Sequence, residues 1–93
     1  MRNTTLLQIF ILQSITKQES SPYEIFKLIK NKGVEIKLNY VYNCLKALQK
    51  KGYAKTILKD DGNFYIISDL GIDILGKIEY INSLFLTNRT INE

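Results

Sequence analysis

The chain contains no histidine and a single cysteine, Cys44. Structural and catalytic zinc sites draw on clusters of these two residue types, so a conventional zinc site is excluded. One thiol cannot close an intramolecular disulfide, which fits a reducing compartment and leaves only a cross-link between two chains open. A glycine-rich phosphate loop is also missing, and Asp60-Asp61 sits in a turn-forming run, not as a carboxylate dyad in a cleft. No enzyme is expected, and neither a metal nor a cofactor is implied. Long apolar runs are scarce as well. Leu6 to Ile15 is broken by Gln8 and Gln13, lacks a small-residue cleavage site, and is far short of a membrane span. The expected setting is the cytoplasm, with no membrane partner.

The 93 residues, 45% hydrophobic and 24% charged, suit one small soluble domain over positions 1–93, with one core and a tendency to dimerise for added burial. The net charge of +4 understates the electrostatics, because the charges are sorted along the chain. Residues 27–59 hold nine lysines against Glu35 alone, whereas residues 60–93 hold six carboxylates against Lys77 and Arg89. A basic middle third attracts polyanions.

Local signals divide the chain into five segments. Thr4 or Thr5 can cap a first helix over 4–15 with Leu6, Ile9, Phe10, Leu12 and Leu7 as candidate buried positions. Ser21-Pro22-Tyr23-Glu24 combines an N-cap serine, a proline at the first helical position and a glutamate closing a capping box, so a second helix spans 22–32 and ends at Gly33. Asn39 can cap a third helix over 39–51 that stops at Gly52. Residues 53–67 form a hairpin around the Asp-Gly turn signal, packing inward through Ile57, Phe64 and Ile66. Ser68 caps a fourth helix over 69–86, whose apolar Leu70, Ile74, Ile78, Ile81 and Phe85, widened by Ile72, Leu75 and Leu84, exceed what one surface helix buries.

Within the third helix, Val41, Cys44, Leu45 and Leu48 share one apolar stripe, while Asn39, Tyr40, Asn43, Lys46, Ala47 and Lys50 fall toward the other side. An apolar back and a polar, aromatic, cationic front suit a groove-binding helix. The order helix, helix, helix, hairpin, long helix defines an α+β, mainly α fold: a winged helix-turn-helix with a three-helix core, a two-stranded β wing and a long C-terminal dimerisation helix.

Over roughly positions 6–78 the chain resembles the PadR-like winged-helix transcription regulators. SPYEIFKLI, residues 21–29, is similar to that family's turn-Tyr-Glu-Ile helix start, and VYNCLKALQKKGYAK, residues 41–55, to its recognition helix and first wing strand. Phe64 to Gly71 resembles the wing return that leads into a dimerising helix. Pro22 stands where the family usually has glycine, and Lys37 where a Ser or Thr cap is usual. MarR-like regulators and small archaeal, viral or plasmid DNA-binding proteins are near alternatives. The resemblance implies a regulator of transcription; family members with a larger C-terminal domain often build an effector pocket there, and here a small-molecule effector is not expected.

Double-stranded DNA and a second copy of the chain are therefore the expected partners. Asn39, Tyr40 and Asn43 are candidate base readers, and Lys37, Lys46, Lys50 and Lys51, with Lys55 and Lys59 on the hairpin, candidate phosphate ligands. Leu70, Ile74, Ile78, Ile81 and Phe85 are the candidate dimer interface, with the first helix of the partner as counterpart. The expected function is sequence-specific repression by a homodimer with the third helix in the major groove. A protein-interaction module or a low-specificity architectural DNA binder are the alternatives.

Overall fold

The computed structural model describes residues 5–92, with side chains as far as Phe85. It contains α1 (Leu6–Lys17), α2 (Pro22–Asn31), α3 (Leu38–Lys50), β1 (Ala54–Lys59), β2 (Gly62–Ile67) and α4 (Asp69–Asn92). Eight apolar side chains are fully buried and join the three N-terminal helices: Ile11, Leu12 and Ile15 from α1, Ile25 and Ile29 from α2, and Val41, Leu45 and Leu48 from α3. Each removes enough apolar surface from water to contribute about 1.5–3 kcal/mol.

Thr5 caps α1 by accepting from the Gln8 amide at 3.2 Å; Thr4 lies outside the described residues. The helix continues past the expected end at residue 15 to Lys17. Its hydroxyl side chains do not break it, because Ser14 Oγ donates to the Phe10 carbonyl at 3.0 Å and Thr16 Oγ1 to that of Leu12 at 2.7 Å. The buried face is Gln8, Ile11, Leu12 and Ile15. Of the expected set, Leu12 is fully buried, Leu7, Ile9 and Phe10 are half-buried and pack against the core, and Leu6 alone points away, 86% exposed. α1 is apolar over most of its circumference, so the choice of inner face falls to its neighbours.

At α2 the reciprocal cap is closed: Ser21 Oγ accepts from the Glu24 amide at 3.2 Å, and Glu24 Oε1 from the Ser21 amide at 2.8 Å. The helix stops one residue before the expected bound, with Lys32 as C-cap and Gly33 at φ +84°. α3 begins at Leu38 with Lys37 at the N-cap and no side-chain cap bond, so Asn39 lies inside the helix and does not cap it. It ends with Lys51 as C-cap and Gly52 at φ +85°, after which the Tyr53 amide returns to the Leu48 carbonyl at 2.9 Å.

β1 and β2 pair antiparallel from Ala54 opposite Ile67 to Lys59 opposite Gly62, leaving Asp60-Asp61 as a two-residue turn. Ser20 adds a one-residue bridge to Tyr65, its amide and carbonyl both bonded to that residue's backbone, at 3.0 and 2.8 Å. The inward face is Ala54, Tyr65 and Ile67. Ile57, Phe64 and Ile66, expected to point inward, occupy the opposite face and are half-buried. A one-residue change of parity turns every strand side chain over, and Phe64-Tyr65-Ile66-Ile67 is apolar at every position.

Ser68 joins the wing to α4. Its Oγ accepts from the Gly71 amide at 3.0 Å and donates to the Gly52 carbonyl at 2.5 Å, while its amide donates to the Tyr53 carbonyl at 3.0 Å. α4 passes the expected end at residue 86 and reaches Asn92, with no Gly or Pro to stop it, a length of about 36 Å at 1.5 Å per residue. Leu75 and Ile78 are buried, the former within the core cluster, and Gln13 Nε2 of α1 donates to Glu79 Oε2 at 3.3 Å.

Candidate nucleic-acid interface

α3 turns Val41, Cys44, Leu45 and Leu48 inward. Opposite them, Asn39, Asn43, Lys46 and Lys50 recur at four-, three- and four-residue spacing and form one exposed stripe along the helix. Because Lys37 occupies the cap, the Asn39 carboxamide is not engaged in capping and joins this stripe. Among the described residues neither Lys46 nor Lys50 has a carboxylate partner. Two carboxamides and two ammonium groups thus project together from a rigid element, a set able to bond base edges and phosphates.

The remaining expected DNA ligands do not all join them. Tyr40 lies on the α1 side of α3, lining an apolar groove with Leu6, Leu7, Val34 and Ile36; Lys37 stands at the same groove's rim. Lys51 is half-buried and donates to Gln8 Oε1 of α1 at 3.3 Å. Lys59 forms an ion pair with Glu19 and lies 4.9 Å from the centre of the Phe64 ring. Lys55 is exposed on the outer face of the wing, opposite Ile66. Tyr42, on the other flank of α3, neighbours Tyr65; burial, reinforced by that neighbour, raises the Tyr65 phenol above its ordinary value.

Burial pushes the Cys44 thiol up, against an opposing hydrogen bond with Tyr40. A buried thiol held protonated is a poor nucleophile. Among the described residues no group of three or more Asp, Glu, His or Cys comes together as a metal site, and no helix is long and apolar enough to cross a membrane.

The expected α4 interface divides. Ile78 is 5% exposed and buried within its own chain, so it is not an outward contact. Ile74 is half-buried against the core, whereas Leu70, Ile81 and Phe85 are exposed. Leu84, exposed as well, adjoins Ile81 and Phe85 on the same side of the helix and belongs with them. The Glu19 pairing and the Gln8 contact went unseen in the sequence, because each partner is remote along the chain and neither type marks a site.

Neither any family model nor any curated protein matches the sequence. Solved structures do. The chain is similar to smu.1704 from Streptococcus mutans UA159, with 30% identity, 86% of this chain and 78% of that one covered, and a TM-score of 0.76. It is similar to the transcriptional regulator Cth-833 from Clostridium thermocellum, with 27% identity, 92% and 86% covered, and a TM-score of 0.73. A PadR family transcription regulator from hypervirulent Clostridium difficile R20291 shares the fold at 22% identity, with 94% and 99% covered and a TM-score of 0.73. Fold and likeness together define the class of winged-helix transcription regulators. The chain has the fold of that class, and its likeness to the PadR type, at 22% identity, is a likeness of fold.

Proposed function

We propose that the chain is a sequence-specific double-stranded DNA-binding transcriptional regulator that acts as a homodimer, with α3 in the major groove. The observation that carries this reading is the Asn39, Asn43, Lys46, Lys50 stripe, exposed on the helix that a helix-turn-helix inserts between the strands. Asparagine bonds adenine bidentately through its N6 and N7 edge, and lysines at the same face neutralise phosphates. Two modules related by a twofold axis reach half-sites about 34–36 Å apart and multiply their contacts. Exposed Leu70, Ile81, Leu84 and Phe85 on α4 supply an apolar surface for that pairing. Leu6, Leu7, Phe10, Ile29, Lys32 and Val34 line a largely apolar groove of about 370 Å³ beside α1, which suits an apolar helix of the partner. We read the protein as a repressor, which acts where its operator overlaps a promoter and the bound dimer excludes polymerase.

The test is selection of genomic fragments by the purified protein, with Asn43→Ala and Lys46→Ala beside the wild type. The first should flatten sequence preference, and the second should weaken all duplexes alike. Retention on DNA that does not weaken with salt, or no retention, would point instead to a protein-binding module.

A further inference from the structure

We infer that the phosphate contacts a wing would ordinarily make fall instead on α2, where Lys27 and Lys30, each set over an aromatic ring, hold the DNA backbone beside α3 while the wing stays off the duplex. The inference rests on the DNA-binding reading above and adds which surface binds.

The wing is poorly suited to a polyanion. Lys59 is engaged by Glu19 and lies over Phe64, and the two residues of its turn are Asp60 and Asp61. Phosphate approaching the tip therefore meets two carboxylates, with the nearest cation already neutralised. Leu58 beside the tip is 81% exposed and offers no bond to a phosphate oxygen.

α2 carries the opposite arrangement. Its Glu24 and Leu28 turn toward α1, lining a groove with Phe10, Gln13 and Ser14. The flank turned away from α1 presents Tyr23, Phe26, Lys27 and Lys30. The Tyr23 and Phe26 rings lie 6.1 Å apart, Lys27 Nζ stands 5.7 Å from the centre of the first and Lys30 Nζ 5.6 Å from the centre of the second. Both pairs are one helical turn apart, and both distances fall within reach of a cation–π attraction. Lysines already confined over rings lose less rotamer freedom when a phosphate binds than lysines waving in solvent. α2 packs on α3, and in a helix-turn-helix the first helix crosses the backbone while the second reads the groove. Among the described residues neither lysine has a carboxylate partner.

Two variants of equal charge change separate the surfaces. Affinity for a mixed-sequence duplex is measured across salt concentrations for the wild type, Lys27→Gln/Lys30→Gln and Lys55→Gln/Lys59→Gln, with circular dichroism to verify folding. Each lost phosphate contact lowers the slope of log affinity against log salt by about 0.9, so the α2 pair should lower it by about 1.8 and the wing pair should leave it unchanged. An unchanged slope for the α2 pair, or an equal or greater loss for the wing pair, overturns the inference. Absence of salt-dependent binding by the wild type would overturn the DNA-binding reading itself, a result distinguishable from both.

Discussion

Gly71 and Tyr53 approach so closely that a Cβ on Gly71 would stand 2.1 Å from the Tyr53 carbonyl oxygen and 2.7 Å from Ile67 Cγ1. The first turn of α4 therefore lies directly on the backbone that leads into the wing, and only a residue without a side chain fits. That oxygen also accepts from the Ser68 amide, so it cannot retreat without losing a bond. Gly71→Ala should destabilise the fold by about 1–3 kcal/mol, the usual cost of overpacking. Urea denaturation monitored by circular dichroism measures it, and a loss below about 0.5 kcal/mol would show that α4 shifts freely on the wing.

Lys51 tests the division between the front of α3 and its α1 side. Its bond to Gln8 Oε1 ties the end of α3 to α1, away from the Asn43 and Lys46 stripe. Lys51→Met should leave the salt slope of duplex binding within experimental error while costing about 0.5–1.5 kcal/mol of stability for the lost bond. A slope reduced by about 0.9 would instead place Lys51 on a phosphate.

What was legible in the sequence was legible because it is local. Ser21, Pro22 and Glu24 specify the start of α2 within one turn, and Val41, Cys44, Leu45 and Leu48 fix the inner side of α3 by spacing alone. Where a segment is apolar on both sides, spacing decides nothing. β2 presents Phe64-Tyr65-Ile66-Ile67 without alternation, and its inner face is chosen by the pairing of Tyr65 with Ser20. α1 offered two overlapping stripes, and packing selected the one with Gln8, Ile11 and Ile15. Charge posed a third difficulty: nine neighbouring lysines read as one patch, yet Glu19 removes Lys59 from it and Gln8 turns Lys51 aside.

Ile78 and Ile81 are one turn apart on α4 and should behave in opposite ways. Ile78→Ala empties a buried position and should cost about 2–5 kcal/mol in denaturation while leaving association unchanged in the folded fraction. Ile81→Glu with Leu84→Glu places charges on exposed positions and should leave the chain folded but monomeric by sedimentation. A dimer that survives the double charge substitution would rule out this part of α4 as the interface.

Alkaline pH tests the buried thiol and phenol. Both Cys44 and Tyr65 hold their protons more tightly in the folded chain than at the ordinary values of 9.0 and 10.0, chiefly through burial. Between the unfolded and folded values of each group the unfolded chain binds fewer protons, so stability falls as pH rises. Below those values both forms are protonated in either state and the contribution is constant. Stability should therefore be flat through neutrality with respect to these groups, then decline from about pH 9, first through Cys44 and then through Tyr65. Cys44→Ala should lower stability at neutral pH by leaving a small cavity, yet remove the earlier part of the alkaline decline. The comparison is urea denaturation of the two proteins at intervals from pH 7 to about pH 11. Parallel curves over that range would mean that Cys44 is not held protonated by its surroundings, and that water reaches it between α1 and α3.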